Sequence, residues 1–419
     1  MRFATNALGL LLVASATAIG CGPSAETGVP GADGSAGRAA GDAGATGSAG
    51  NGGGGASGSA GVGTGGRLGT GGATGSGGAT GAGGARATDA GAGTGGALGA
   101  GGGRTGTGGA GGAVGTGGTG GDSALCPPGI TQTITVAGDG SGQFTTVQAA
   151  VNSIASGSAA HIRIDIKAGT YSEKLIIASR SNLCLVGAAA TTTILTFGDS
   201  SATVGSTSGS ASVLVSANDF SAANLTFQNS YGAGSQAVAL HTTGQREQFL
   251  NCRMVGHQDT LYTHSGSQYF RNCYVQGNTD YVFGGATAVL ENCEVRNVEG
   301  GTAVAAPNTP ITTPYGIVFL GGKFTAASGV GGGSVALGRP WGADGAAAYL
   351  HVDLGAHILP AGFVVFGASQ PQTARFHEYQ STGASANTAS RSAYQLTASQ
   401  AASYTVATVL AGWTPSYSQ

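Results

Sequence analysis

Two aspartates lie in segments that are otherwise uncharged and apolar: Asp259 in GHQDTLY and Asp280 in GNTDYVFG. They are 21 residues apart, and an interval of 20 or 21 residues recurs in three Asn-Cys pairs at 251–252, 272–273 and 292–293. Such a repeat is typical of a solenoid. In a parallel β-helix, equivalent residues of adjacent coils lie about 4.8 Å apart. We therefore expect the two aspartates to stack as a pair of carboxyl groups.

A stacked pair of carboxyls favours chemistry that needs an acid and a nucleophile at one pH. Two negative charges at about 5 Å cannot both form freely, so one carboxyl stays protonated while the other is an anion. A nearby cation decides which one ionises, and Arg339, held between Gly338 and Pro340, is the candidate. The pattern fits hydrolysis of an ester, which needs a nucleophile, a proton donor and donors to an oxyanion.

Several segments carry a resemblance to a known family. GHQDTLY, GNTDYVFG and LGRPW resemble the signature blocks of the pectinesterases, which hydrolyse methyl esters of polygalacturonate on a right-handed β-helix. Further similar segments follow the family order and cover nearly all of 130–413: VAGDGSGQFTTVQAAVNS, IKAGTYSEKLII, SQAVALH and RFHEYQSTG.

The resemblance implies a role for each matching residue. Asp280 would be the nucleophile, held by Arg339, and Asp259 would protonate the departing methanol and then activate water. The side-chain amides of Gln236 and Gln258, 22 residues apart, would donate to the oxyanion. Trp341 and Phe283 would form an apolar platform for a galacturonate ring, with Arg339 also contacting the substrate. The implied substrate is methylated pectin.

Composition divides the 419 residues into three parts. Residues 1–20 have the early arginine and apolar run of an export signal, and Cys21 resembles the acylated cysteine of a bacterial lipoprotein. Residues 22–125 are nearly all Gly, Ala, Ser and Thr, which predicts a disordered tether. Residues 126–419 form the predicted catalytic domain. We expect an outer-membrane or cell-surface lipoprotein, or else a secreted protein with a spare cysteine, touching the membrane only through its anchor.

The part after the tether consists of short β-branched runs separated by Gly, Asn, Asp and Ser. Together with the repeat, these runs predict an all-β, right-handed parallel β-helix of about ten or more coils. Two helices are predicted as caps. One spans Phe144 to Ala155, with Thr145 as N-cap and Gln148 completing a capping box, and covers the N-terminal end. The other spans Leu396 to Trp413, repeats the capping box with Thr397 and Gln400, and packs on the solenoid near the C-terminus.

Cysteines and charge limit the remaining possibilities. Cys252, Cys273 and Cys293 should stack on successive coils, which predicts a Cys273–Cys293 disulfide or, as an alternative, a ladder of buried thiols. Net charge is −2 and no basic cluster exists, so a nucleic-acid partner is not expected. The histidines fit no zinc pattern, and too few carboxylates converge for calcium, so neither a metal nor a cofactor is predicted. We expect a monomer.

Three other functions remain open. Paired carboxylates about 5 Å apart also suit a glycoside hydrolase, and polysaccharide-cleaving enzymes share the β-helix scaffold. A β-helix esterase that acts on another ester or on a thioester is also compatible with the tether. A non-catalytic glycan-binding surface protein would have no use for a desolvated carboxylate pair with an adjacent cation.

Overall fold

The computed structural model describes residues 125–386 and 389–418. The predicted signal segment, Cys21 and the predicted tether up to residue 124 lie outside the described residues. The described chain winds through three parallel sheets, with one strand per sheet on each complete turn, which is a right-handed parallel β-helix. The predicted fold class is confirmed. Among the described residues, no helix has the length and apolarity needed to span a membrane.

All three sheets pair in parallel register from coil to coil. Sheet A contains ten strands: Gln132–Val136, Ile162–Ile166, Leu183–Gly187, Ser221–Ala223, Glu247–Leu250, Ser267–Arg271, Thr287–Glu291, Ile317–Leu320, Ala346–Leu350 and Arg375–Tyr379. Sheet B contains eight: Gly169–Ser172, Thr193–Phe197, Thr226–Asn229, Arg253–Val255, Tyr274–Gly277, Glu294–Asn297, Lys323–Ala326 and Asp353–Leu354. Sheet C contains seven: Leu175–Ala178, Val213–Ser216, Leu240–Thr242, Leu261–Thr263, Val282–Gly284, Ala303–Pro307 and Ala336–Gly338.

The Asn-Cys repeat forms the turn between sheets A and B. Asn251, Asn272 and Asn292 all have left-handed backbones, with φ of 53°, 52° and 52°. Asparagine tolerates this conformation better than most residues, which explains why it recurs at the same corner. The cysteine that follows each asparagine points into the apolar core with residues such as Phe249 and Phe270, whose rings stack at 4.7 Å.

The predicted Cys273–Cys293 disulfide is wrong. Cys252, Cys273 and Cys293 are free, buried thiols, which was the alternative interpretation. These thiols donate to backbone carbonyls; Cys273 Sγ, for example, lies 3.4 Å from Arg271 O. The disulfide joins Cys126 to Cys184 and ties the segment before the first strand to sheet A.

The N-terminal helix α1 (Val147–Ser153) is shorter than the predicted span, and its N-cap lies one residue later than predicted. Its N-cap is Thr146, not Thr145, and the Thr146 side chain accepts from Ala149 N. The predicted box with Gln148 does not form, because Glu173 on the next coil accepts from the amides of Val147 and Gln148 at 2.7 and 2.8 Å. The helix packs on the first strands of sheets A and C, as expected for an end cap.

Three further α-helices of four residues each occur among the described residues. The four-residue α2 (Ser201–Val204) lies between sheets B and C. The predicted C-terminal helix is two helices, α3 (Ala398–Ala401) and α4 (Val406–Val409), because Thr405 is extended and caps α4 through its side chain. The capping box of Thr397 and Gln400 is confirmed. Val409 and Leu410 pack on sheet A against a cluster that includes Tyr269.

Candidate active site

The two aspartates occupy equivalent turns on adjacent coils. Asp259 and Asp280 each stand two residues before a strand of sheet C, and those strands pair with Leu261 opposite Val282. The amide of Asp259 donates to Thr279 O at 3.1 Å, so the turns themselves are also in contact. Both aspartates have left-handed backbones, with φ of 63° and 51°. The two side chains leave matching backbones one coil apart and lie close enough for the charge of Asp280 to act on Asp259.

Each aspartate follows a glycine by three residues, and close contacts explain the glycine. A Cβ on Gly277 would lie 2.2 Å from Tyr281 Cβ, and one on Gly256 would lie 2.7 Å from Thr260 Oγ1. The chain therefore folds back on itself in a turn that no side chain fits. The Gly-x-x-Asp pattern of both motifs is the sequence form of this turn.

Arg339 holds one of the two carboxylates. Its Nε donates to Asp280 Oδ1 at 2.8 Å and its Nη2 donates to Asp280 Oδ2 at 2.6 Å. The arginine follows the last strand of sheet C, where its own amide donates to Ala305 O at 2.9 Å. The ring of Phe366 lies 4.3 Å from the guanidinium carbon on another side. A two-point ion pair braced by an aromatic ring fixes the orientation of the carboxylate.

Burial and nearby charges give the two carboxyls different pKa values. Asp259 and Asp280 are only 8% and 5% exposed. Burial raises the pKa of Asp259 well above its usual range, and the negative charge of Asp280 raises it further. Burial also raises the pKa of Asp280, but the hydrogen bonds and charge of Arg339 oppose that rise. Asp280 is therefore the carboxyl that ionises first, and Asp259 is the one that keeps its proton to higher pH.

Two glutamines lie beside the pair. The side-chain amide of Gln258 lies near the Asp259 carboxyl and opposes the rise of its pKa. Gln236 belongs to the preceding coil, because Ala237 N donates to Gln258 O at 3.1 Å. Both side chains are partly exposed, and Ser201 Oγ donates to Gln236 Oε1. That contact leaves the amide nitrogen of Gln236 as the end available to a ligand.

An aromatic ladder lies on the outer side of sheet C beside the aspartates. It consists of His241, Tyr262 and Phe283, which occupy one register on three coils and stack at 4.5 and 4.2 Å. Phe283 is only 4% exposed, so its ring serves mainly as support for its neighbours. Trp341 is 37% exposed and lies at the edge of the ladder, 6.0 Å from Phe283 and 6.3 Å from Tyr262.

The structure adds contacts that sequence reasoning did not identify: Tyr262, Phe366 and the Ser201 hydroxyl. Tyr262 was recognisable, since it stands in QDTLY at the same offset from Asp259 as Phe283 from Asp280. Burial lowers the pKa of His241 to about 4, so the ladder is uncharged around neutral pH. No group of three His, Cys, Asp or Glu side chains in the described part of the chain is arranged to hold a metal ion.

The fold and the site define a β-helix enzyme of the carboxylic ester hydrolase class with a buried aspartate pair. The pectinesterase family model matches residues 133–413, and the chain belongs to the pectinesterase family.

Similar proteins and similar solved structures are pectinesterases as well. The chain is 34% identical to pectinesterase 31 of Arabidopsis thaliana over 60% of this chain and 83% of that protein. It is also 34% identical to pectinesterase 2 of Citrus sinensis, of which it spans 61%, over 70% of its own length. The pectin methylesterase of carrot superposes with a TM-score of 0.64 at 30% identity, covering 70% of this chain and 97% of that one. The pectin methylesterase of Erwinia chrysanthemi gives 0.62 at 29% identity, over 68% and 98%.

Proposed function

We propose that this enzyme hydrolyses the methyl esters of pectin to free carboxylates and methanol, with Asp280 as nucleophile and Asp259 as proton donor. The observation that carries the assignment is the asymmetry of the pair: Arg339 makes two hydrogen bonds to Asp280, whereas burial and the charge of Asp280 keep the proton on Asp259. An anion that can attack and an acid that can donate are thus present at the same pH.

In the first half of the reaction, an oxygen of Asp280 attacks the ester carbonyl carbon and forms a tetrahedral intermediate. The negative charge develops on the former carbonyl oxygen, where the side-chain amides of Gln236 and Gln258 donate to it. The intermediate collapses as Asp259 gives its proton to the methoxy oxygen. Methanol leaves, and the substrate carboxyl is joined to Asp280 as an anhydride.

In the second half, Asp259 is a carboxylate and takes a proton from water. The resulting hydroxide adds to the substrate carbonyl of the anhydride, and the bond to Asp280 breaks. The product leaves as galacturonic acid and loses its proton to bulk water, Asp280 returns to its ion pair with Arg339, and Asp259 carries the proton again. Asp259 is thus the acid in the first half and the base in the second, so each turnover restores its proton without another protein group.

Aromatic surface beside the pair provides the binding site for the polymer. Trp341 is the large exposed apolar side chain at this position, and the flat apolar face of a sugar ring can stack on its indole. Tyr262 and Phe283 support the indole from below. A solved pectin methylesterase bound to a hexasaccharide, 32% identical with a TM-score of 0.61 over 67% of this chain and 98% of that one, supports a pectic oligosaccharide as ligand.

Export and anchoring complete the proposal. The apolar run before Cys21 and the Gly-rich stretch of 22–125 favour a catalytic domain held at the cell surface by an acylated cysteine. By random-coil scaling, about 100 such residues give a reach of roughly 50–60 Å. We expect the anchored enzyme to act as a monomer. Metabolic labelling with a radioactive or clickable fatty acid tests the anchor, with Cys21→Ser as the unlabelled control.

The function is tested by incubating the enzyme with highly methylated pectin and measuring methanol and polymer length together. We expect methanol release with no shortening of the chain. Shortened chains without methanol would indicate a glycoside hydrolase, the other reaction that such a carboxylate pair supports. Absence of both products, with binding retained, would indicate a glycan-binding protein.

A further inference from the structure

A chain of hydrogen-bonded hydroxyl groups holds the side-chain amide of Gln236, and no sequence motif predicted it. Ser201 Oγ donates to Gln236 Oε1, and Ser201 Oγ also lies 2.9 Å from Ser235 Oγ. Ser235 Oγ in turn accepts from the amide of Ala202 at 3.3 Å. Ser201 has one hydroxyl proton and gives it to Gln236 Oε1, so Ser235 must donate to Ser201 and the chain has a direction. It runs from Ala202 N–H through the Ser235 and Ser201 hydroxyls to the amide oxygen of Gln236.

The backbone holds the same residue a second time. The amide of Ser201 donates to Gln236 O at 2.8 Å, so Ser201 contacts Gln236 through main chain and side chain together. Ser201 is the first residue of α2, whose start is fixed by a capping box between Ser200 and Thr203. A short, capped helix on the neighbouring coil therefore positions the Ser201 hydroxyl against the glutamine.

We propose that Ser201 is a positioning residue for catalysis, which sets the polarity of the Gln236 amide. This inference rests on the proposed function, in which Gln236 donates to the oxyanion. A glutamine amide has an oxygen end and a nitrogen end of nearly equal shape. Only the nitrogen end stabilises an oxyanion, whereas the oxygen end repels it. With its oxygen satisfied by Ser201, the amide presents its NH₂ group to the substrate.

The orientation of the Gln236 amide should affect the transition state more than substrate binding. The charge on the carbonyl oxygen develops only as Asp280 attacks, so a misoriented amide raises the barrier and leaves ground-state binding nearly unchanged. Ser201→Ala should therefore lower kcat by about 10-fold or more with KM nearly constant, because losing an oxyanion donor outright costs about 10²–10³-fold. Ser201→Thr keeps the hydroxyl and should restore most of the activity.

The experiment is a double-mutant cycle of Ser201→Ala and Gln236→Ala, measured by methanol release from methylated pectin. Once Gln236 is gone, removing the Ser201 hydroxyl should have no further effect on kcat, which is the signature of action through that residue. Ser230→Ala is the matched control: its hydroxyl donates to Phe197 O at 3.1 Å and does not contact Gln236, so kcat should be unchanged. Additive losses in the cycle, or full activity in Ser201→Ala, would overturn the proposal.

A second readout does not depend on turnover. In a ¹H–¹⁵N spectrum, the side-chain NH₂ pair of Gln236 is identified by its loss in Gln236→Ala. That pair should shift in Ser201→Ala and not in Ser230→Ala. If the wild-type enzyme releases no methanol, the proposed function fails while the spectrum still tests the contact. If it releases methanol but Ser201→Ala neither slows it nor shifts the NH₂ pair, the inference alone fails.

Discussion

Arg339 and Asp280 are 59 residues apart in the chain, yet two hydrogen bonds of 2.8 and 2.6 Å join the guanidinium to both carboxylate oxygens. The arginine favours ionisation of this carboxyl over that of its neighbour, Asp259. The division of labour in the pair thus depends on which carboxyl the arginine contacts, since burial raises the pKa of both.

Removing the cation should shift the pH dependence of catalysis. In Arg339→Met, Asp280 loses the group that favours its charged form, so its pKa rises and the reactive carboxylate appears only at higher pH. The acid limb of kcat/KM should move upward by about 1 pH unit or more.

Arg246→Met is the matched control for that profile. Arg246 makes the same two-point contact with Asp219, at 2.6 and 2.8 Å, but beside sheet A and exposed to solvent. Its loss should leave the pH profile unchanged. An acid limb that stays in place in Arg339→Met would contradict the role given to the arginine.

Trp341→Ala should weaken binding of the polymer and leave the chemical step intact. The indole is exposed beside the aspartate pair, and aromatic stacking is made equally in the ground and transition states. We expect KM to rise about 10-fold with kcat within about 2-fold. Trp413, the other tryptophan, packs on the cluster at the C-terminus, so Trp413→Ala should lower Tm and leave KM unchanged. A fall in kcat alone for Trp341→Ala would argue against a binding role.

A buried carboxyl away from the site predicts how stability changes with pH. Glu247 is fully buried, and burial raises its pKa from 4.5 to about 8. The folded protein therefore holds a proton that the unfolded chain releases above about pH 4.5, so stability falls as pH rises from there to about 8.

Glu247→Gln should remove this loss. Glutamine keeps the shape and does not titrate, so the Tm values of variant and wild type should diverge as pH rises. Each unit of pKa shift is worth about 1.4 kcal/mol, or roughly 3–5 °C in a domain of this kind. Parallel Tm curves from pH 5 to 8 would show that Glu247 ionises in the folded state as it does in the unfolded one.

The cysteine pairing gives a direct chemical test. Peptide mapping of non-reduced protein should recover Cys126 linked to Cys184, with free thiols at Cys252, Cys273 and Cys293. The bridge closes a loop of 58 residues, so Cys184→Ser should cost up to about 4 kcal/mol of stability. Cys273→Ser should leave the bridge intact. A peptide linking Cys273 to Cys293 would contradict the structure.

The Asn-Cys repeat predicted the fold because the same corner of successive coils needs the same backbone conformation. An asparagine with a left-handed backbone is needed at one corner of successive coils, and the spacing of these asparagines is the length of a coil. The Gly-x-x-Asp turns could be read in the same way, since each needs a glycine that admits no Cβ. These features are local, so the sequence displays them.

Features that depend on a partner far along the chain escaped prediction. The start of α1 is set by Glu173, which lies 26 residues beyond Val147, and the disulfide partner of Cys126 is Cys184, which lies 58 residues further along the chain. The bracing of Arg339 by Phe366 and of Gln236 by Ser201 arises from the winding of the chain. No residue spacing in the sequence predicts either contact.

The most direct test of the account compares Asp280→Asn and Asp259→Asn on two esters of oligogalacturonate, the methyl ester and one with a far better leaving group, such as the trifluoroethyl ester. An activated leaving group needs no proton donor, so Asp259→Asn should recover its first step on that ester and accumulate an acyl adduct on the peptide that contains Asp280. Asp280→Asn should release neither alcohol. Release of alcohol by Asp280→Asn, or failure of the activated ester to rescue Asp259→Asn, would contradict the assignment of nucleophile and acid.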